Sequence, residues 1–311
     1  MQPTKYIDRM IENYYRITGE KPKEVTSPLV KGDHPELDTS KLLDEGGIKL
    51  YQSFIGTLQW VVTLGRLDIF SAVMTMSSFR SAPREGHLTR VKRIYGYLKK
   101  MRHGSTTFRV TQPDYSSIPT DQHDWMKSIY GKVEESIPHN APEVKGPTVI
   151  HTVYKDANLC HDMVTGRSVT GIIHLLNKTV VDYTSKKQPR VETSTYGSEF
   201  MAARLATEQI IDMRLTLRYL GVDIKGPTYM FGDNKSVVDS SSFPRSKLHK
   251  RHNLLSYHRV REAIVGGIMY FIHIPTELNP ADILTKLWGY QQARIKLKAL
   301  LFWHGDIIDI E

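Results

Sequence analysis

Cysteine is almost missing from this chain of 311 residues: Cys160 stands alone. No internal disulfide can form, and no cysteine-based zinc cluster can be assembled. Long apolar runs are missing too. The longest, Phe54 to Leu64, is interrupted by Thr57 and Gln59 and falls well short of the ~20 residues that a membrane-spanning helix needs. The opening MQPTKYIDRMIENYYRITGE lacks the apolar core of a secretory signal. These absences predict a soluble intracellular protein with no membrane partner. Low complexity is absent as well, with 40% hydrophobic and 24% charged residues, an ordinary globular composition. Acidic charge is in deficit. Asp and Glu number 33 against 42 Lys and Arg, a net charge of +9, which favours a polyanionic partner such as nucleic acid.

The deficit is local. Between Arg80 and Arg109 there are nine basic residues and a single acid, Glu85. Within that stretch Val91, Ile94, Tyr95, Leu98 and Met101 recur at helical spacing, leaving Arg90, Lys92, Arg93, Lys99 and Lys100 on the other side or its flanks. A helix anchored by one face and basic on the other suits a phosphate backbone; the plainer reading is a solvated helix surface. Two further basic clusters stand at Lys186, Lys187 and Arg190, and at Arg245, Lys247, Lys250 and Arg251.

Periodicity divides the chain. Residues 4–18 read as a helix, 19–47 as an irregular connector, and 48–101 as mainly helical with a break at Pro83. A short strand is expected at 106–110. Residues 111–147 contain five prolines and read as a linker with a short helix at 124–133. Strands are expected at 148–154, 169–176, 179–184, 228–232 and 268–274, the second and third as a hairpin about Asn177-Lys178. Helices are expected at 198–220, 234–241 and 248–265, and a last one from Pro280 to Leu287. Order β-β-β-α-β-α-α-β-α implies an α/β fold with a mixed sheet flanked by helices.

Four acids occupy element ends on this frame: Asp156 in VYKDAN, Glu199 in TYGSEFMAAR, Asp233 in MFGDN and Asp282 in NPADILTK. Each alone has an ordinary use, as a turn former, a helix cap or a partner of the helix dipole. Together they describe a cleft where carboxylates repel unless a cation compensates them. Oxygen ligands of this kind suit Mg²⁺ or Mn²⁺, and paired ions about 3.5–4 Å apart serve phosphodiester cleavage.

The ordered motifs VYKDAN, DMVTGRSVTG, TSKKQPRVETSTYGSEFMAAR, GDNKSVV, KRHNLLSYHRVREAI and HIPTELNPADILTK resemble the RNase H domain of copia-type LTR retrotransposons. Upstream, the stretch from Tyr51 to Lys100 resembles the distal end of the same family's reverse transcriptase. The resemblance implies a helical thumb or connection remnant over 1–110, a linker over 111–147, and an RNase H-like domain with a five-stranded mixed sheet over 148–311. It also implies a metal-dependent ribonuclease that hydrolyses the RNA strand of RNA–DNA hybrids. Asp156, Glu199, Asp233 and Asp282 would hold two ions, Mg²⁺ or Mn²⁺. Asp156 would bridge them, Glu199 and Asp233 would serve the ion that activates water, and Asp282 would complete the other. The implied setting is a Pol polyprotein, in a cytoplasmic virus-like particle or the nucleus. No Asp-Asp pair occurs in the chain, so no polymerase activity is expected, and the chain reads as the C-terminal piece of such a polyprotein. Family acids are replaced at Gly197 and Asn158. Two other readings stand beside this one: a non-catalytic remnant that binds nucleic acid, and an RNase H-like transposase or integrase.

Overall fold

Ile7, Met10 and Tyr14 recur along one face of helix α1 (Thr4–Thr18) and are buried there, and Gly19 ends the helix in the left-handed region at φ 74°. Helix α2 (Glu45–Thr63) is capped by Asp44, whose side chain accepts a hydrogen bond from the Gly47 amide. With α3 (Phe70–Ser77) and α4 (Glu85–Lys100) these helices enclose a core in which the rings of Tyr14, Phe54 and Tyr95 meet with centroids 5.0–5.4 Å apart. Strand β1 (Gly104–Thr106) follows. The computed structural model describes residues 2–303 apart from 121–122, 126–127, 132, 136, 138, 249–250, 289 and 299. It divides into two units, one of residues 1–108, 161–166 and 283–311, the other of 109–160 and 167–282.

The second unit is built on a mixed sheet. Its strands are β2 (His151–Asn158), β3 (Val169–Leu176), β4 (Thr179–Lys187) and, after helix α5 (Thr195–Tyr219), β5 (Thr228–Gly232). Helices α6 (Lys235–Ser242) and α7 (Leu254–Val265) precede β6 (Met269–His273). The five strands lie in the order β4-β3-β2-β5-β6. β2, β3 and β4 form an antiparallel meander, whereas β5 runs parallel to both β2 and β6. Val153, Ile172, Met230 and Met269 face a core shared with Phe200, Ala203 and Ile210 of α5, Val237 of α6 and Val260 of α7. The other face carries Tyr154 and Phe231, whose rings stack at 5.1 Å, with Tyr115 against Phe231. The remaining elements of the first unit are α8 (Tyr290–Lys298) and β7 (Leu301–Trp303), and β7 pairs antiparallel with β1.

The mixed five-stranded sheet and its order of elements follow the expectation. Five local details differ. The first strand, expected at 148–154 with Asp156 beyond its end, runs from His151 to Asn158, and Asp156 pairs within it with Gly171 of β3. The strand expected at 106–110 lies at Gly104–Thr106, where β7 supplies its partner. The described residues of 124–133 contain no helix; Trp125 and Tyr130 instead face the Arg261 guanidinium, 4.6 and 5.6 Å from their ring centroids. α7 begins at Leu254 rather than Leu248, after a 3-10 turn at Arg251–Asn253. The last helix expected in this unit is a 3-10 turn, Pro280–Leu284.

Residues 109–147 group with the sheet, and one ion-pair cluster fastens them. Glu135 accepts from Arg214 at 2.8 and 2.9 Å and from Arg218 at 2.6 Å. Burial works to raise the Glu135 carboxyl, but the two guanidinium groups outweigh it and hold the pKa at about 2. A folded pKa below the unfolded value contributes stability that is present above pH ~4.5 and lost as pH falls toward 2. Glu135→Gln is therefore expected to lower unfolding stability by about 1–2 kcal/mol at pH 7, after allowance for solvent screening. The deficit relative to wild type should shrink below pH ~4.5, as read from urea melts at pH 7 and pH 3.

Candidate metal centre

Alternation along β2 governs the site. Successive residues of a strand point to opposite faces, so Lys155 shares the helix-facing side with Val153 while Asp156 shares the side of Tyr154. Asp233 follows Gly232, the last residue of β5, and Asp282 lies in the 3-10 turn after β6. Carboxylate oxygens of Asp156, Asp233 and Asp282 lie within 4.8 Å of one another. Asp156 and Asp282 are buried and Asp233 is half-buried. Oxygens bound to one Mg²⁺ at about 2.1 Å stand roughly 3–4 Å apart, so little movement would bring all three onto a single hard cation. Three carboxylates crowded in this way repel one another, and a divalent ion offsets that repulsion. The donor set therefore fits Mg²⁺ or Mn²⁺.

Two contacts position the trio. Asn279 is fully buried; its Nδ2 donates to the Lys155 carbonyl at 3.0 Å, and its Oδ1 accepts from the Ala281 amide at 3.1 Å. The Asp282 turn is thereby fastened to the strand residue just before Asp156. His273 Nε2 lies 3.1 Å from the Asp233 carbonyl; as its donor, the ring steadies the other loop.

Glu199, the fourth expected ligand, is not in that group. It sits in the second turn of α5, whose cap Ser194 accepts from the Gly197 amide at 3.2 Å. Its Oε2 accepts from Lys155 Nζ at 2.5 Å, and its Oε1 accepts from the Ala157 amide at 3.3 Å. Burial pushes the Glu199 carboxyl above its ordinary range, the Lys155 ammonium pulls it back, and the charge on Asp233 adds to the rise. Lys155 is the residue that motif reading missed. Its signal was a lysine on the inward-facing parity of a strand that ends in the acid cluster.

The basic residues divide between the units. On α4, Arg90 donates to Asp33 at 2.8 Å through Nε and Nη2 and to Asp38 at 2.5 Å through Nη1. Arg93 donates to Ser27 Oγ at 2.9 Å, and Lys99 pairs with Glu24 at 3.1 Å. Lys92 and Lys100 are half-buried. In the sheet unit Lys186 and Arg251 are exposed and Lys187 is half-buried. Lys250 lies outside the described residues.

Comparison with known proteins agrees with the resemblance in the motifs. The chain is similar to the retrovirus-related Pol polyprotein from transposon TNT 1-94 of Nicotiana tabacum, 26% identical over 289 residues, 91% of this chain and 19% of that protein. It is equally similar, at 26% over 283 residues, to the corresponding Pol polyprotein from transposon RE1 of Arabidopsis thaliana, covering 91% of this chain and 16% of that protein. The chain thus spans less than a fifth of the length of these relatives. No family model matches it. Among solved structures, the N-terminal RNase H domain of Rv2228c from Mycobacterium tuberculosis, a fusion with maltose binding protein, aligns with a TM-score of 0.36 at 14% identity. That alignment covers 49% of this chain and 99% of the other. The sheet unit is an α/β fold with a mixed five-stranded sheet in the order β4-β3-β2-β5-β6; Asp156 lies in the last half of β2, Asp233 directly after β5 and Asp282 in the turn that follows β6.

Asn279→Ala should loosen the Asp282 turn and leave the Lys155 carbonyl without its donor, at a cost of about 1–3 kcal/mol. Urea midpoints of the variant and the wild type measure that loss.

Proposed function

We propose that the sheet unit is a metal-dependent nuclease of the ribonuclease H type, hydrolysing the RNA strand of RNA–DNA hybrids as part of a retrotransposon Pol polyprotein. The observation that carries this reading is the convergence of Asp156, Asp233 and Asp282 within 4.8 Å at the sheet's edge. A bound divalent cation supplies a Lewis acid that makes water nucleophilic and steadies charge on the scissile phosphate. The chain's own part is to hold three oxygen ligands in a mostly buried cluster, with Asn279 and His273 fixing the two loops that carry them. Lys186, Lys187 and Arg251 of the same unit would meet phosphates, and RNA would be told from DNA through its 2′-hydroxyls. In the first unit Lys92, Arg93 and Lys100 of α4 are the phosphate contacts proposed, since Arg90 is paired with Asp33 and Asp38 and Lys99 with Glu24. The absence of an Asp-Asp pair argues against polymerase chemistry in this chain.

A second reading, a remnant that binds nucleic acid without cleaving it, is favoured by one observation: Glu199 is already engaged by Lys155. A labelled RNA–DNA hybrid incubated with Mg²⁺ separates the two. On the enzyme reading the wild type releases RNA fragments and Asp233→Asn lowers the rate roughly a hundredfold or more, since even outer-shell changes at metal sites cost 10–100-fold. Binding without cleavage in either Mg²⁺ or Mn²⁺ would leave the remnant. Hybrid affinity should also fall steeply with salt, and replacing Lys186, Lys187 and Arg251 by Ala should flatten the log–log slope by about 2–3. Titrations at several salt concentrations read that slope.

A further inference from the structure

We propose that the Lys155 ammonium stands in place of one of two divalent cations, so that this chain takes a single metal ion at Asp156, Asp233 and Asp282 and keeps Glu199 out of its coordination. The proposal rests on the metal-centre reading above. Lys155 has a built seat. Its side chain is 0% exposed and Glu199 is 7% exposed at the ion pair between them. The ammonium lies 5.4 Å from the Phe271 ring centroid. Space for the lysine comes from Gly232: a Cβ on that residue would stand 2.4 Å from Lys155 Cε and 3.0 Å from Nζ. Strand parity aims residue 155 at α5 and residue 156 away from it, so the lysine and the first aspartate serve opposite sides of the same edge. Both Glu199 oxygens are occupied, one by Lys155 Nζ and the other by the Ala157 amide.

The electrostatics follow from that seat. The three clustered aspartates and the buried Glu199 call for positive charge. A fixed ammonium supplies part of it inside the fold, and its repulsion disfavours a further divalent ion against Glu199. Glu199 then acts as the counter-ion of Lys155, and the aspartate trio is left to bind one exchangeable cation.

Mn²⁺ titration of the full chain by calorimetry, with low-temperature electron paramagnetic resonance to detect coupled ion pairs, tests this. The wild type is expected to take one Mn²⁺ with an uncoupled spectrum, and Lys155→Ser to take two with a coupled one. Glu199→Gln should keep the single ion with affinity within about threefold of wild type, whereas Asp233→Asn should lose it. Two ions in the wild type would overturn the proposal, as would a Lys155→Ser variant that still takes one. Loss of tenfold or more in affinity on Glu199→Gln would also overturn it. If Lys155→Ser does not fold, the wild-type count and the Glu199→Gln affinity decide the matter without it. No Mn²⁺ bound by the wild type would instead overturn the metal-centre reading itself, a result distinct from finding two.

Discussion

The register of β2 is the constraint on which the rest of the site depends. Its residues Thr152 to Tyr154 pair with Tyr229 to Phe231 of β5 in parallel, and the same strand pairs antiparallel with β3 along its whole length. Because side chains alternate strictly, a slip of one residue would turn Asp156 into the helix-facing core and carry Lys155 into the aspartate cluster. The core residues guard against that slip. Val153 and Met230 are fully buried on the helix side, while Tyr154 and Phe231 stack on the other. Packing on both faces of one short strand therefore decides which charge meets which.

Charge in this protein is used inward as well as outward. Arg66 and Asp68 form an ion pair with both side chains fully buried, and Arg90 is held between Asp33 and Asp38. Arg214 and Arg218 share Glu135. Such pairs remove acid and base together, so the net surplus of +9 survives them. What changes is where the surplus resides: Arg90 of α4 has its donors filled by neighbouring side chains, whereas Lys186 and Arg251 of the sheet unit remain exposed.

Much of the fold was legible because strand and helix periods differ. β3 and β5 fall where alternation and β-branched residues put them, with the β3–β4 turn at Asn177, which adopts the left-handed conformation at φ 55° that asparagine tolerates. Asp233 and Asp282 were legible as acids at element ends, whereas Asp156, expected just beyond the first strand, lies inside β2, because that strand pairs with β3 as far as Asn158. Glu199 was placed near its true position, but its partner was not foreseen, because a lysine beside an acid in a motif is silent about which face it takes. β1 was misplaced because its pairing partner lies about two hundred residues away, beyond any local pattern. The helix expected over 124–133 was misread for a related reason: among the described residues, Trp125 and Tyr130 face the distant Arg261, which also donates to the carbonyls of Ser240, Phe243 and Pro244.

The pairing of Gly104–Thr106 with Leu301–Trp303 closes the first unit with segments about two hundred residues apart in sequence. Most of the chain between them belongs to the sheet unit. The entropy lost on closing a loop grows with the length of free chain enclosed. A sheet unit that has already folded shortens that free chain, and so lowers the cost of bringing the two small strands together.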